Sequence, residues 1–469
     1  MPQLSRLTRL VLALAVAVLI LGTQTGTGFA HANLDRSEPA DGATLASAPP
    51  EVRLWFTEDV EPAFSRAVVL DANRQGVSVA SQVAANDSHL LIVALQPGLR
   101  SGWYSVFWQA QAKVDGHLTR GVIAFGVGVT GAPPGAVAAE QTAQTGSGSP
   151  TEVVLRWLIV LSATTVVGGF AFWTIQGWVI QHGPRLARPI RLLPLQWALA
   201  ELAWIVFLLA NVVFLTNAVA NVVDAATLDD LGGPLVQLAT RTTFGQLWLI
   251  RMGIAVALGI VLSYRGTRFP SRWDIGGAVL GGALLLSLGL VSHSASLPTM
   301  APLAIANDWL HFTAAAVWVG GLLQLTVLLV GLAAQPALAN ARADYDREIL
   351  RRFAALATYA VALVAVTGLG EAVLHLGTPI SLVATRYGQV VLLKVVLLVP
   401  MVALGAAVRR RLRANLTWRK AVAHLSFGAS TDDASRADPG LARTLVVESL
   451  WAAGLLAAVG WLTSLSPPS

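Results

Sequence analysis

From residue 151 onward the chain is a succession of apolar stretches, eight in all, at roughly 153–180, 194–222, 244–264, 274–293, 302–334, 350–376, 385–407 and 443–464. About 20 helical residues cross the ~30 Å hydrocarbon core of a bilayer. In that core each backbone polar group must find its partner within the protein, which helices achieve by themselves. The pattern therefore predicts an all-α polytopic bundle of about eight transmembrane helices over 151–469. The composition agrees, at 55% hydrophobic and 12% charged residues with a mean hydropathy of +0.62, which excludes an ordinary soluble enzyme.

Orientation follows from the basic residues. Arg185, Arg188 and Arg191 follow the first span; Arg265, Arg268 and Arg272 follow the third; Arg342, Arg347, Arg351 and Arg352 follow the fifth. The run Arg409 to Arg413, with Arg419 and Lys420, follows the seventh. The alternate loops are nearly free of Lys and Arg, and one carries Asp224, Asp229 and Asp230. By the positive-inside rule the basic loops are cytoplasmic. The formal charge of +6 is thus a topology signature, with membrane lipid as the partner and no nucleic acid expected. At the other end, Arg6 and Arg9 precede an apolar run from Leu10 to Leu21 and then small residues, the layout of a secretory signal over 1–30. Two cleavage frames fit: Gly28-Phe29-Ala30 would release a chain starting at His31, and Ala30-His31-Ala32 one starting at Asn33. Export would place the next segment on the periplasmic or extracellular side.

That segment, 31–129, is of another kind. "EVRLWF", "AVVLDA", "SHLLIVAL", "GWYSVFWQA" and "GVIAFGVGV" follow one another at short intervals between Gly, Pro, Asn and Asp turn signals, which predicts a small antiparallel β-sandwich or barrel. Trp55, Phe56, Phe64, Tyr104, Trp108 and Phe125 are its expected core aromatics. Residues 130–150, rich in Gly, Ala, Ser and Pro, read as a linker.

The chain has no cysteine, so disulfides and thiolate metal sites are excluded and any metal must be held by nitrogen, oxygen or one of four methionines. "KVDGHLTRG" places Asp115 and His117 two apart; on an extended segment both would face one side. The competing reading is an Asp-Gly turn followed by an exposed histidine. A free amine at His31 would add an amine and imidazole chelate, and three nitrogens with a carboxylate suit copper(II). In the spans, His293, His311 and His375 all lie toward the exported side, with Asp308 three residues before His311 and Glu371 four before His375, each pair on one helix face. Ionisable groups in a membrane usually face a bundle interior or aqueous cavity. Lys394 and Arg251 could form structural ion pairs with Glu448 or Glu201 or serve permeation, which the sequence leaves open, and Met300 and Met401 are soft donors that more often serve packing.

As a whole, "HANLDRSEPADGATLASAPPEVRLWFTEDVEP" with "LQPGLRSGWYSVFWQAQAKVDGHLTRGVIAFGVG" resembles the copper-binding family CopC. It carries that family's amino-terminal His, Ser-x-Pro-x-(Asp/Glu)-Gly turn, Val-x-Leu-x-Phe strand with its acidic end, Gly-x-Tyr-x-Val-x-Trp strand and Asp-Gly-His triplet. "SHSAS", "NDWLHFTAAAVWVGGL", "RRFAALATYAVALVAVTGLG" and "RYGQVVLLKVVLL", in the fourth to seventh spans, resemble CopD; the first three spans match only as generic apolar helices. The resemblance implies an immunoglobulin-like sandwich fused to the bundle. It also implies one copper(II) site of His31, Asp115 and His117, with Glu58 orienting a ligand, and so favours the cut after Ala30. Family members with a second, copper(I) site use a Met-rich loop, which 31–129 lacks. The implied function is copper transport, inward by preference, homeostasis and resistance at the cytoplasmic membrane. Copper would leave a histidine-lined path through His293, Asp308, His311, Glu371 and His375 for an acceptor or chaperone protein. No ATP-binding loop is present, so a transporter rather than an enzyme is expected. The alternatives are a membrane oxidoreductase using haem or copper, and a copper sensor or receptor on a membrane anchor.

Overall fold

The computed structural model describes residues 32–131, 149–182, 194–223, 229–264, 272–297, 299–333, 339–423 and 439–465. The leader, His31 and most of the linker lie outside these residues, as do Arg185, Arg188, Arg191, Arg265, Arg268 and Asp224.

The amino-terminal part is a two-sheet sandwich. Its strands are β1 Leu34–Glu38, β2 Ala43–Leu45, β3 Glu51–Phe56, β4 Arg66–Leu70, β5 Ser78–Ala84, β6 Asp87–Leu95, β7 Gly102–Gln111 and β8 Leu118–Val127. One sheet runs β1-β3-β6-β5 and the other β2-β8-β7-β4. All pairings are antiparallel except β2 with β8, which is parallel and corrects the wholly antiparallel expectation. The cause is connectivity: β2 is a three-residue edge segment that joins the sheet opposite β1, and its direction is set by where the chain enters.

Strand periodicity of two fills the core. Val52, Leu54 and Phe56 point inward from β3 and meet Leu91, Val93, Val106, Ile123 and Phe125, with Phe56 edge-on to Trp108 at 5.3 Å between centroids. Two expected core aromatics do not belong there. Trp55 is on the outward face of β3, half-buried under the guanidinium of Arg36 at 4.1 Å. Phe64 is buried against Leu215, Val219, Leu231, Leu238 and Phe244 of the helical part, so it docks the sandwich onto the bundle.

The helical part comprises α1 Pro150–His182, α2 Pro194–Val223, α3 Gly232–Arg241, α4 Thr243–Tyr264 and α5 Arg272–Gly289. It continues with α6 Ala301–Ala315, a π-helical turn Ala316–Gly320, α7 Gly321–Ala333, α8 Ala339–Leu376, α9 Arg386–Ala423 and α10 Pro439–Leu462. Seven helical segments among the described residues are long and apolar enough to cross a membrane, α6 to α7 counting as one. The eighth expected span is shorter: the apolar part of α5 is Asp274–Gly289, and the chain then leaves the helix for a 3₁₀ turn, His293–Ser296. At 1.5 Å per residue that part reaches roughly 24 Å, a little under the ~30 Å hydrocarbon core.

α1 is the central helix, with Phe170, Phe172 and Trp173 fully enclosed. Its backbone touches the π turn directly. A Cβ on Gly168 would lie 2.1 Å from the carbonyl oxygen of Ala316, and one on Gly320 2.1 Å from that of Thr164. Only glycine permits this approach, which fixes the helix carrying Asp308 and His311 against α1.

Candidate metal centre

The Asp-Gly-His triplet is a turn closing the β7–β8 hairpin. The Ala112 amide donates to the His117 carbonyl at 2.8 Å and the Gly116 amide to the Ala112 carbonyl at 3.1 Å. Gly116 has φ +70°, in the left-handed region that disfavours side chains. Asp115 and His117 are therefore brought together by an Asx-type turn rather than by the pleat of a strand. Asp115 Oδ1 accepts from the His117 amide at 3.0 Å, and Oδ2 lies 2.9 Å from His117 Nδ1. The histidine is not the exposed turn residue of the competing reading: it is 9% accessible, because the bundle covers it.

Three side chains of the helical part provide that cover. His293, opening the 3₁₀ turn after α5, lies with Nδ1 3.4 Å from Asp115 Oδ2, its ring stacked on His117 at 5.6 Å. From the first turns of α1, Glu152 Oε1 is 3.2 Å and Arg156 Nη2 2.9 Å from His117 Nε2. Asp115, His117 and His293 are buried and offer ligand atoms all within 4.8 Å of one another, a spacing at which they could hold a metal ion.

Electrostatics follow from burial among carboxylates. Burial and, less strongly, Arg156 lower the affinity of His117 for a proton, but the carboxylates of Asp115 and Glu152 together outweigh them and the imidazole pKa rises to about 9. Glu58 is pushed up to about 8, first by burial and then by the neighbouring Asp115 charge. Glu58 thus sits beside the turn and hydrogen-bonds with Ser296 of the 3₁₀ turn. The described chain begins close by: fully buried Ala32 accepts through its carbonyl a 2.6 Å hydrogen bond from Thr119 Oγ1, two residues beyond His117.

A second polar cluster continues into the bundle. Ser294 Oγ lies 3.1 Å from His375 Nε2, which is 3.2 Å from Glu371 Oε2. Asn307 donates to Glu371 and to the Thr367 carbonyl, His311 Nδ1 lies 2.8 Å from Thr367 Oγ1, and Ser292 donates to Asp308. His311, Asp308, Glu371, His375 and Lys394 line one cavity of about 120 Å³. Asp115, His117, Arg156 and Arg251 line another of about 90 Å³. Ser292 and His293 are in the walls of both, so His293 stands between the two chambers.

Of the two readings open for the deep charges, the ion pairs with Glu448 or Glu201 do not form. Arg251 donates to Ser287, at 2.7 Å to its carbonyl and 3.2 Å to its hydroxyl, and to Asn211, while Glu201 is exposed. α2 turns Glu201 outward, and the Ser287 backbone freed near the end of α5 satisfies the guanidinium instead. Lys394 faces the chamber of Asp308 and Glu371. Glu448 and Met401 lie in a separate, mostly apolar cavity of about 210 Å³ with Arg409, and Met300 only precedes α6. Sequence reasoning missed Glu152 and Arg156, whose only signal was an i, i+4 acid–base pair where the linker becomes helix.

Comparison with known proteins agrees with this architecture. The CopC domain profile matches residues 34–128, the copper resistance protein D-like N-terminal domain 147–301 and copper resistance protein D 347–462. The chain is a CopC–CopD fusion. The three matched segments extend the likeness to the first spans, which had read only as generic apolar helices. Copper transport protein CutJ of Bacillus subtilis strain 168 is 28% identical over 383 residues, covering 81% of this chain and 67% of that protein. Protein YobA of Escherichia coli K12 is 35% identical over 100 residues, 21% of this chain and 80% of YobA. Among solved structures, CopC from Methylosinus trichosporium OB3b is 30% identical over 21% of this chain and 93% of its own, with a TM-score of 0.20. A multi-pass membrane protein of a copper transport and resistance family is the result.

Proposed function

We propose that this fusion captures copper(II) on the outer side of the cytoplasmic membrane at Asp115 and His117, and passes it through His293 into the chamber of Asp308, His311, Glu371 and His375 for uptake. The observation that carries the proposal is the position of His293, a residue of the helical part 3.4 Å from the sandwich carboxylate Asp115. A ligand shared between modules lets the ion exchange donors one at a time without crossing open solvent. The covalent tether keeps the acceptor at high effective concentration. Imidazole and carboxylate donors without thiolate suit copper(II). Removal of the leader after Ala30 would add the His31 amine and imidazole next to buried Ala32, beside the hairpin that carries His117. Glu58 lies next to this site and would steady it. An acceptor protein would take the ion at the far side.

The test is copper(II) titration of the full chain in lipid nanodiscs, with intact mass of the mature chain. One equivalent bound, a chain starting at His31 and loss of binding in His117→Ala are expected. His293→Ala should retain binding but lose at least about tenfold in uptake by proteoliposomes. Undiminished uptake in His293→Ala, or a haem absorption band in the purified protein, would overturn the reading.

A further inference from the structure

Arg156 is an unusual neighbour for a metal site. Its Nε donates to Glu152 Oε1 at 2.8 Å and its Nη2 lies 2.9 Å from His117 Nε2, so a guanidinium stands in front of a nitrogen that a metal would use. A guanidinium yields such a position only by moving its side chain. On its other side it meets the Phe214 ring, 4.9 Å away, and shares the upper chamber with Arg251.

We infer that Arg156 is a tethered cation that competes with the metal ion for the cluster of Asp115, His117, His293 and Glu152, and that its withdrawal couples loading of the sandwich to the position of α1. This rests on the copper-site reading above. The geometry gives it two routes with one outcome. A metal on His117 Nε2 takes the place of Arg156 directly. A metal on Nδ1 leaves the ring proton on Nε2 donating to Glu152, 3.2 Å away, and opposes Arg156 by charge across the ring. Arg156 and the ion thus compete directly on Nε2 and electrostatically on Nδ1. Charge argues the same way, because the carboxylates of Asp115 and Glu152 that balance Arg156 are also the groups that would balance a divalent ion. Phe214, over whose ring the guanidinium already lies at 4.9 Å, keeps a cation–π partner for Arg156 when its contact with His117 is lost. Arg156 is thus a positioning residue: it sets how tightly the ion is held and how readily it moves on.

The experiment is copper(II) titration calorimetry of the full chain in nanodiscs, with thermal melting to verify folding, for wild type, Arg156→Lys, Arg156→Gln and Glu152→Gln/Arg156→Gln. Removing the competing charge should tighten Arg156→Gln about tenfold and slow copper release by a similar factor. Arg156→Lys should stay near wild type, and the double variant should fall back toward it. A side chain that merely supports the fold would weaken binding on removal, so unchanged or weaker binding in a folded Arg156→Gln overturns the inference. If His117→Ala leaves copper binding intact in wild type and Arg156→Gln alike, the copper-site reading fails instead.

Discussion

Gly116→Ala tests whether docking of the sandwich on the bundle is what makes the site, since one methyl group acts there in two separable ways. Gly116 has φ +70°, where an L-residue costs about 1–2 kcal/mol. An added Cβ would also lie 2.8 Å from Phe244 Cγ and 3.0 Å from two further ring carbons, closer than van der Waals contact. Overpacking of this kind costs about 1–3 kcal/mol. The backbone share persists in an undocked sandwich and lowers its own stability. The steric share disappears on undocking, so it alone shifts the docking equilibrium, by about 5- to 150-fold. Proteoliposome copper uptake should fall accordingly, and amide exchange should rise around Phe64 and Phe244, which lie in the docking contact. Phe244→Leu on the Gly116→Ala background removes ring atoms while keeping apolar volume. It should recover docking and uptake but not the loss in sandwich melting temperature. Uptake and protection equal to wild type in Gly116→Ala would refute the idea that this contact holds the two modules in working register.

Two further predictions bear on the path and its surroundings. His375→Ala should leave one copper(II) equivalent on the sandwich with unchanged affinity, because His375 reaches Ser294 and Glu371 rather than Asp115, while uptake falls at least about tenfold; a parallel loss of binding would place His375 in the capture site. Glu58→Gln should bind copper at neutral pH within about threefold of wild type, since Glu58 lies beside Asp115 and His117 rather than between them and the amide keeps a partner for Ser296; calorimetry showing a tenfold loss would mean that the ion needs a negative charge there.

The helices were legible because bilayer-scale apolar length is a local property, and α1, α2 and α4 fall within a few residues of the expected spans. α5 ends at Gly289, before its apolar run does. Leu290 and Val291 continue the apolar run, but the following Ser292-His293-Ser294 opens a 3₁₀ turn capped at its start by the Ser292 hydroxyl, and capping geometry does not show in hydropathy. Trp55 and Phe64 failed for a related reason. Aromatic character says that a residue is to be covered; its covering partner is a tertiary fact, Arg36 in one case and Phe244 with its neighbours in the other.

The metal centre shows where local reading stops. Asp115 and His117 could be paired from sequence because they are two residues apart, although the pairing comes from a turn with Gly116 at its left-handed position rather than from a strand. His293 could be placed at the right end of the bundle but not against Asp115, since nothing in the spans says onto which helix ends the sandwich will settle. Glu152 and Arg156 look like an ordinary helix-surface ion pair, of a type worth a few tenths of a kcal/mol when exposed. Docking changes what that pair is: with His117 2.9 Å from Arg156, the guanidinium becomes part of the electrostatics of the site. A sandwich acting alone would present Asp115 and His117 to solvent with no fixed cation opposing the metal. In the fusion, the same hairpin meets a second imidazole that favours the ion and a guanidinium that opposes it. On the proposed reading, binding strength and onward transfer would be set by the contact between modules, which is the reason to test them by moving that contact.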